Sequence, residues 1–194
     1  MDDLSIAIVP TAPVRQRNRD IEYIYRPDSD FYYLTGFPEP EAVAVFIPGR
    51  SQGEYILFCR ERDAEMEQWH GARAGLEGAC TDYGADDAFP IGDMDDILPG
   101  LIENRSSVYY AMGYEPEFDK RVIGWVNQVK ARSTRSGANS PAEFVALDHR
   151  VHEMRLYKSA AEIRTMRRAG EISADAHVRA MRVCRPGMRE YQLE

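Results

Sequence analysis

Cysteine is scarce and scattered in this chain: Cys59, Cys80 and Cys184 are the only three among 194 residues. An odd set with no CxxC and no Cys/His spacing argues against a full disulfide framework and gives no zinc signature. All three are therefore expected as buried, reduced thiols. A basic excess is missing too. Lysine and arginine number 24 against 32 aspartates and glutamates, for a net charge of −8 and a pI of about 5.1. That balance disfavours nucleic acid, whose phosphates need a basic surface. No apolar run approaches the ~20 residues that span a bilayer. Met1-Asp2-Asp3 has neither the basic start nor the apolar continuation of a secretory leader. The expectation is a cytoplasmic protein without a membrane or nucleic-acid partner. Short catalytic motifs are absent as well: no G-x-S-x-G, no G-x-x-x-x-G-K-[ST], no G-x-G-x-x-G after a strand and no H-E-x-x-H.

What is present is enough apolar material, 44% of the residues, for one full domain and part of a second. Leu4 to Pro10 reads as a short buried strand, followed by a polar, ordered loop over Arg15–Asp30. Phe31-Tyr32-Tyr33-Leu34-Thr35, stopped by Gly36, reads as an aromatic strand. Ala42–Ile47 and Glu54–Cys59 are apolar runs parted by Pro48-Gly49-Arg50-Ser51-Gln52-Gly53, a hairpin signal. The period then changes. Asp63–His70 is helix-like, and Asp93–Glu103 sets Met94, Ile97, Leu98, Leu101 and Ile102 on one helical face. Val108–Ala111 reads as a strand, and Pro116 opens a helix running to about Ala131. Interleaved strands and helices with one hairpin give an α/β domain built on a mixed sheet flanked by helices.

The boundary of this domain falls near residues 149–158. Beyond it, Ser159-Ala160-Ala161-Glu162 has the form of a capping box, and Arg185-Pro186-Gly187 stops the helix it opens near Cys184. The seam of that helix, through Ile163, Met166, Gly170, Ser173, His177, Ala180 and Met181, includes small residues where another element should pack closely. From Met188 a further helix is expected to begin, interrupted at Glu194. Chemistry is harder to find. His149 and His152 could share a helical face toward a metal, but further ligands at set geometry are needed. His177 reads as a packed, hydrogen-bonded core histidine, and Asp82–Asp96 as a solvated loop and helix start.

Four segments carry a resemblance. Arg17 to Pro40 is similar to the stretch that opens the N-terminal domain of bacterial Xaa-Pro aminopeptidases (aminopeptidase P). Trp69-His70-Gly71-Ala72-Arg73 resembles that family's W-x-G-x-R. Val151-His152-Glu153-Met154-Arg155-Leu156-Tyr157-Lys158-Ser159 resembles its junction between domains. Arg168-Ala169-Gly170-Glu171-Ile172, with Cys184-Arg185-Pro186-Gly187-Met188, resembles the first helix of its catalytic domain. They occur in family order from about residue 6 to the end of the chain.

The resemblance implies a creatinase-like, aminopeptidase P N-terminal domain over residues 1–152, with a six-stranded mixed sheet and flanking helices. Residues 153–194 are then a linker and the first helices of an incomplete pita-bread catalytic domain. It implies removal of the N-terminal residue from peptides with proline second, with two divalent metal ions, commonly manganese, in the full-length enzyme. None of the family's metal ligands or catalytic residues maps onto this chain, so no ion is expected to be held by it. The chain is expected to be trimmed at both ends or to come from a shortened gene. Three residues inherit substrate-binding expectations: Trp69, which in bacterial tetramers reaches a neighbour's active-site mouth, and Asp20 and Arg155, which match a network near the active site. Trp69 could instead pack within its own domain, and the other two could be surface salt bridges. A homo-oligomer, dimer or tetramer, is implied for the full-length enzyme. Two alternatives stay open: a non-catalytic peptide- or protein-binding module of the same fold, and a prolidase-like dipeptidase.

Overall fold

Strand β1, Ser5–Pro10, is the element around which the first domain assembles. Successive strand residues point to opposite faces, and Ile6 and Ile8 enter one apolar cluster while Ala7 and Val9 enter another. A strand covered on both faces needs a continuous apolar run, which Ile6-Ala7-Ile8-Val9 supplies. The computed structural model describes residues 1–2 and 4–193, without the side chains of 134–136. It divides into two compact units, Met1–Val151 and His152–Glu194.

In the first unit, β2 (Val43–Phe46) and β3 (Tyr55–Cys59) continue from β1 as antiparallel neighbours. The hairpin between β2 and β3 lies where Pro48 to Gly53 predicts it. Three further strands join in parallel: β4 (Asp87–Pro90) beside β3, β5 (Ser107–Tyr110) beside β1, and β6 (Glu143–Ala146) beside β5. The result is a six-stranded mixed sheet in the order β4-β3-β2-β1-β5-β6. Parallel neighbours need long crossovers, and helices fill them.

One face of the sheet is covered by α4 (Met94–Ile102) and α5 (Pro116–Ser136), whose Met94, Leu98, Val122, Trp125 and Val129 pack on Ile6, Ile8, Val45 and Phe58. The other face carries α1 (Ser29–Thr35), α3 (Gly75–Thr81) and the start of α6 (Leu147–Leu156), through Phe31, Ala79, Leu147 and Val151. A further helix, α2 (Ala64–His70), buries none of its residues.

Several expectations need correction. Phe31–Thr35 is helix, not strand. The Asp28 carboxylate accepts from the backbone N–H groups of Asp30 and Phe31 at 2.9 Å, and Gly36 takes the left-handed cap at φ 67°. Those two local signals outweigh the strand preference of the aromatic run. The acidic stretch 82–96 is not merely solvated, because β4 lies within it and Asp86 accepts from the backbone N–H groups of Glu54 and Tyr55. Helix α5 runs on past Ala131 to a left-handed cap at Gly137. Of the cysteines, Cys59 alone is buried; Cys80 is half-buried and Cys184 exposed.

In the second unit, α7 (Ala160–Val183) opens with the expected capping box: Ser159 N–H donates to Glu162 Oε2 at 2.6 Å and Glu162 N–H to Ser159 Oγ at 3.3 Å. None of its residues is buried. His177 is therefore not a core histidine: it is exposed, with Nδ1 2.8 Å from the Ser173 carbonyl of the preceding turn. After Cys184 a 3-10 turn over Glu190–Gln192 stands where a further helix is expected, and Glu194 lies outside the described residues. Among the described residues no helix is long and apolar enough to cross a membrane.

Candidate functional site

Trp69 lies in the last turn of α2, 79% exposed, so packing within its own domain does not describe it. The segment that carries it leaves β3 and returns at α3. Asp63 starts the helix by accepting from Glu65 and Met66 N–H at 3.0 and 3.1 Å, and Gly71 ends it at φ 86°. Arg62 grips the Glu67 carboxylate with two donors, Nε at 3.2 Å and Nη2 at 3.3 Å. This two-pronged pairing is the strong form of a guanidinium–carboxylate contact, and it holds the Glu67 carboxyl below the usual carboxylate range. Arg73 Nη1 donates to the Glu61 carbonyl at 3.1 Å across the neck of the excursion.

Asp20 stands at the tip of a small hairpin closed by the Gln16–Glu22 bridge. Asn18 Oδ1 accepts from the backbone N–H groups of Asp20 and Ile21 at 3.3 and 3.1 Å, a side-chain turn of the Asx kind. Beyond the hairpin, the Tyr25 hydroxyl lies 2.7 Å from Thr11 Oγ1 and donates to the Ala12 carbonyl. Burial pushes the Tyr25 hydroxyl pKa up, so it remains a neutral donor. Asp20 is exposed, and Ile21, Tyr23 and Ile24 beside it are exposed apolar residues.

Arg155 is half-buried in the last turn of α6, within the second unit, whereas Asp20 and Trp69 belong to the first. His149 and His152 are both exposed on α6. Among the described residues no group of three or more His, Cys, Asp or Glu is placed to hold a metal ion.

A cavity of about 540 Å³ opens beyond the carboxyl end of β1, lined by Pro10, Val14, Met94, Phe118 and Arg121 among others. Sequence reasoning misses it, and the three expected residues do not line it. Glu41 at its rim has φ 55°, a conformation uncommon outside glycine. Burial pushes the Cys59 thiol up to about 12, and it raises Cys80 as well, so both remain protonated. Sequence reasoning also misses the Arg62–Glu67 pair beside Trp69. Arg62 and Glu67 are five apart, outside the helical pair spacing, although Asp63 as a cap was a usable signal.

Comparison with known proteins gives the chain a family. The family described as "Aminopeptidase P, N-terminal domain" matches residues 1–109. The Xaa-Pro aminopeptidase of Escherichia coli (strain K12) is 42% identical over 191 residues, 98% of this chain and 43% of that protein. Among solved structures, Pseudomonas aeruginosa aminopeptidase PepP superposes with a TM-score of 0.95 at 64% identity, covering 100% of this chain and 43% of that one. The low-pH form of aminopeptidase P from E. coli gives a TM-score of 0.93 at 41% identity, with 100% and 44% covered. The chain thus spans less than half the length of the relatives it matches.

Proposed function

Because the chain belongs to the aminopeptidase P family, we propose that the protein is a metal-dependent Xaa-Pro aminopeptidase, releasing the N-terminal residue from peptides with proline second. Residues 1–152 form its N-terminal domain, and residues 153–194 open its catalytic domain. What carries the reading is likeness along the whole chain to solved aminopeptidases P, at a level of identity well above what fold alone requires. An X–Pro bond calls for a dedicated enzyme, since the proline ring fixes its own φ and restricts the residue before it.

In this proposal Trp69 is a substrate-site wall offered by one subunit of a cytoplasmic homo-oligomer, a dimer or tetramer, to its neighbour. Its exposure supports that role, as a flat aromatic can line a peptide pocket. Asp20 and Arg155 are assigned to a polar network near the substrate. The reading also implies two divalent ions, commonly manganese. The residues described here do not fit such a centre, so the proposal assigns the ions to the part of the relatives with which this chain does not align.

The test is turnover by the full-length protein supplied with manganese, on matched peptides with proline or alanine second. Release of the first residue from the proline peptide alone is expected. No turnover, or equal cleavage of both, would overturn the proposal.

A further inference from the structure

The helix that carries Trp69 buries none of its residues. Helix α2 has seven residues, and a helix of that length is not stable by itself. In place of burial, the structure supplies polar contacts at the neck of the segment. Outermost from the tip, Glu39 joins the two arms: Oε2 accepts from Arg60 Nη2 at 3.2 Å and Oε1 from Ala74 N–H at 2.6 Å. Next, the Glu61 carbonyl accepts from Arg73. Nearest the tip, Glu67 reaches back from α2 to Arg62 on the outgoing arm. The backbone N–H groups of Arg73 and Asp63 add to the preference of Glu67 for its charged form, behind the larger effect of Arg62. The Arg62 stem lies over Gly75 so closely that a Cβ there would sit 2.5 Å from Arg62 Cγ. Arg62 is thereby braced on the first residue of α3, and Glu67 is braced on Arg62.

We infer that Glu67 is a positioning residue for Trp69: by pairing with Arg62 it ties α2, and the exposed indole that α2 carries, to the neck of the excursion. The inference rests on the proposed substrate role of Trp69 for its functional half. Glu67 precedes Trp69 by two residues and points back toward the neck, which leaves the indole free for a ligand or neighbouring subunit. Compact loops with close ends, tied by their own side chains, commonly serve function in this way.

Two readouts in the full-length protein separate the structural half from the functional half. Glu67→Gln should speed hydrogen exchange of the α2 amides by roughly two- to fivefold, the range for a largely exposed ion pair, with β2 amides unchanged. The reversed pair, Arg62→Glu with Glu67→Arg, should restore protection if the contact itself matters. Unchanged exchange in Glu67→Gln would overturn the inference outright. For function, Glu67→Gln should lower kcat/KM for proline-second peptides, and should add nothing further in a Trp69→Ala background. Additive losses, with exchange accelerated as expected, would overturn the positioning role while leaving the substrate role of Trp69 intact. A Trp69→Ala variant with unaltered kcat/KM would remove the substrate role, and the positioning role with it.

Discussion

Helices α1 and α2 belong to the same unit and are made alike, yet they are held by opposite means. Each has seven residues, an aspartate at its N-cap accepting from two backbone N–H groups, and a glycine at its C-cap. Each carries aromatic residues. In α1, Phe31 is fully buried in the cluster beneath the sheet, and Thr35 turns its hydroxyl back to the Phe31 carbonyl at 2.8 Å. In α2 nothing is buried, and Arg62, Glu67 and Arg73 hold the segment instead. Matched caps therefore fix where a short helix begins and ends, but not whether it joins the core. Buried area decides that, and the helix without it is free to serve as a projecting surface.

The largest effect that can test this contrast is the loss of the buried ring. Phe31→Ala should cost about 3–5 kcal/mol of folding stability, read as a lowered urea midpoint. A loss below ~1 kcal/mol, the range of ordinary surface change, would mean that α1 is as dispensable to the core as α2. Cap removal comes next. Asp28→Ala should cost about 1 kcal/mol globally, because α1 unfolds only with the core. Asp63→Ala should leave the global midpoint unmoved and accelerate exchange only in α2, since that segment can open locally. Equal global losses in the two variants would erase the distinction.

The same pair shows what was legible in the sequence. The interior strands could be read because Ile6 to Val9, Val43 to Phe46 and Tyr55 to Cys59 are unbroken apolar runs, with a Pro/Gly turn between the last two. The capping box at Ser159 was equally plain. Helix α1 was not, because Phe31-Tyr32-Tyr33 favours strands and only Asp28 and Gly36 tell otherwise. Elements α3, β4 and β6 escaped for lack of signal: α3 contains two glycines, and the edge strands β4 and β6 are four residues each. A parallel edge strand also lacks the tight turn that announces a hairpin. For the site, resemblance supplied Trp69, Asp20 and Arg155, whereas composition supplied none of them. The neck contacts of Glu39, with Arg60 and Ala74, join residues brought together only by the fold, and the Arg62–Glu67 pair has a spacing that matches no helical pair.

Acid offers a gentler way to separate the two helices. The Arg62 guanidinium holds the Glu67 carboxyl below the ordinary carboxylate range when the loop is closed. A group depressed in this way favours the closed loop at pH above its open-loop value, about 4.3. The contribution disappears as pH falls through the lower, closed-loop value. Arg62 stays charged throughout, its own pKa raised by Glu67. Protection of the α2 amides, corrected for intrinsic exchange, should thus be flat from neutral pH to about 5 and should fall below that before α1 responds. Parallel loss in both helices would show that α2 is held by the core after all.

Removing Trp69 should also change folding stability very little, and that smallness is the point. An indole that is 79% exposed gives up little packing when removed, so Trp69→Ala should shift folding stability by no more than ~0.5 kcal/mol. On the proposed substrate role it should nevertheless lower kcat/KM for longer proline-second peptides by roughly five- to thirty-fold, the equivalent of about 1–2 kcal/mol for a lost aromatic contact. Metal content should not change. Phe31→Ala supplies the opposite pattern as an internal reference, with a large stability loss and ordinary kcat/KM in the folded fraction. Were Trp69→Ala to follow Phe31→Ala, with a large drop in melting temperature and unchanged kcat/KM, the ring would be a structural element and the projecting-surface account of α2 would fail. Were both quantities unchanged, the indole would be exposed without a substrate to meet, and the role carried over from the family's tryptophan would not hold for this chain.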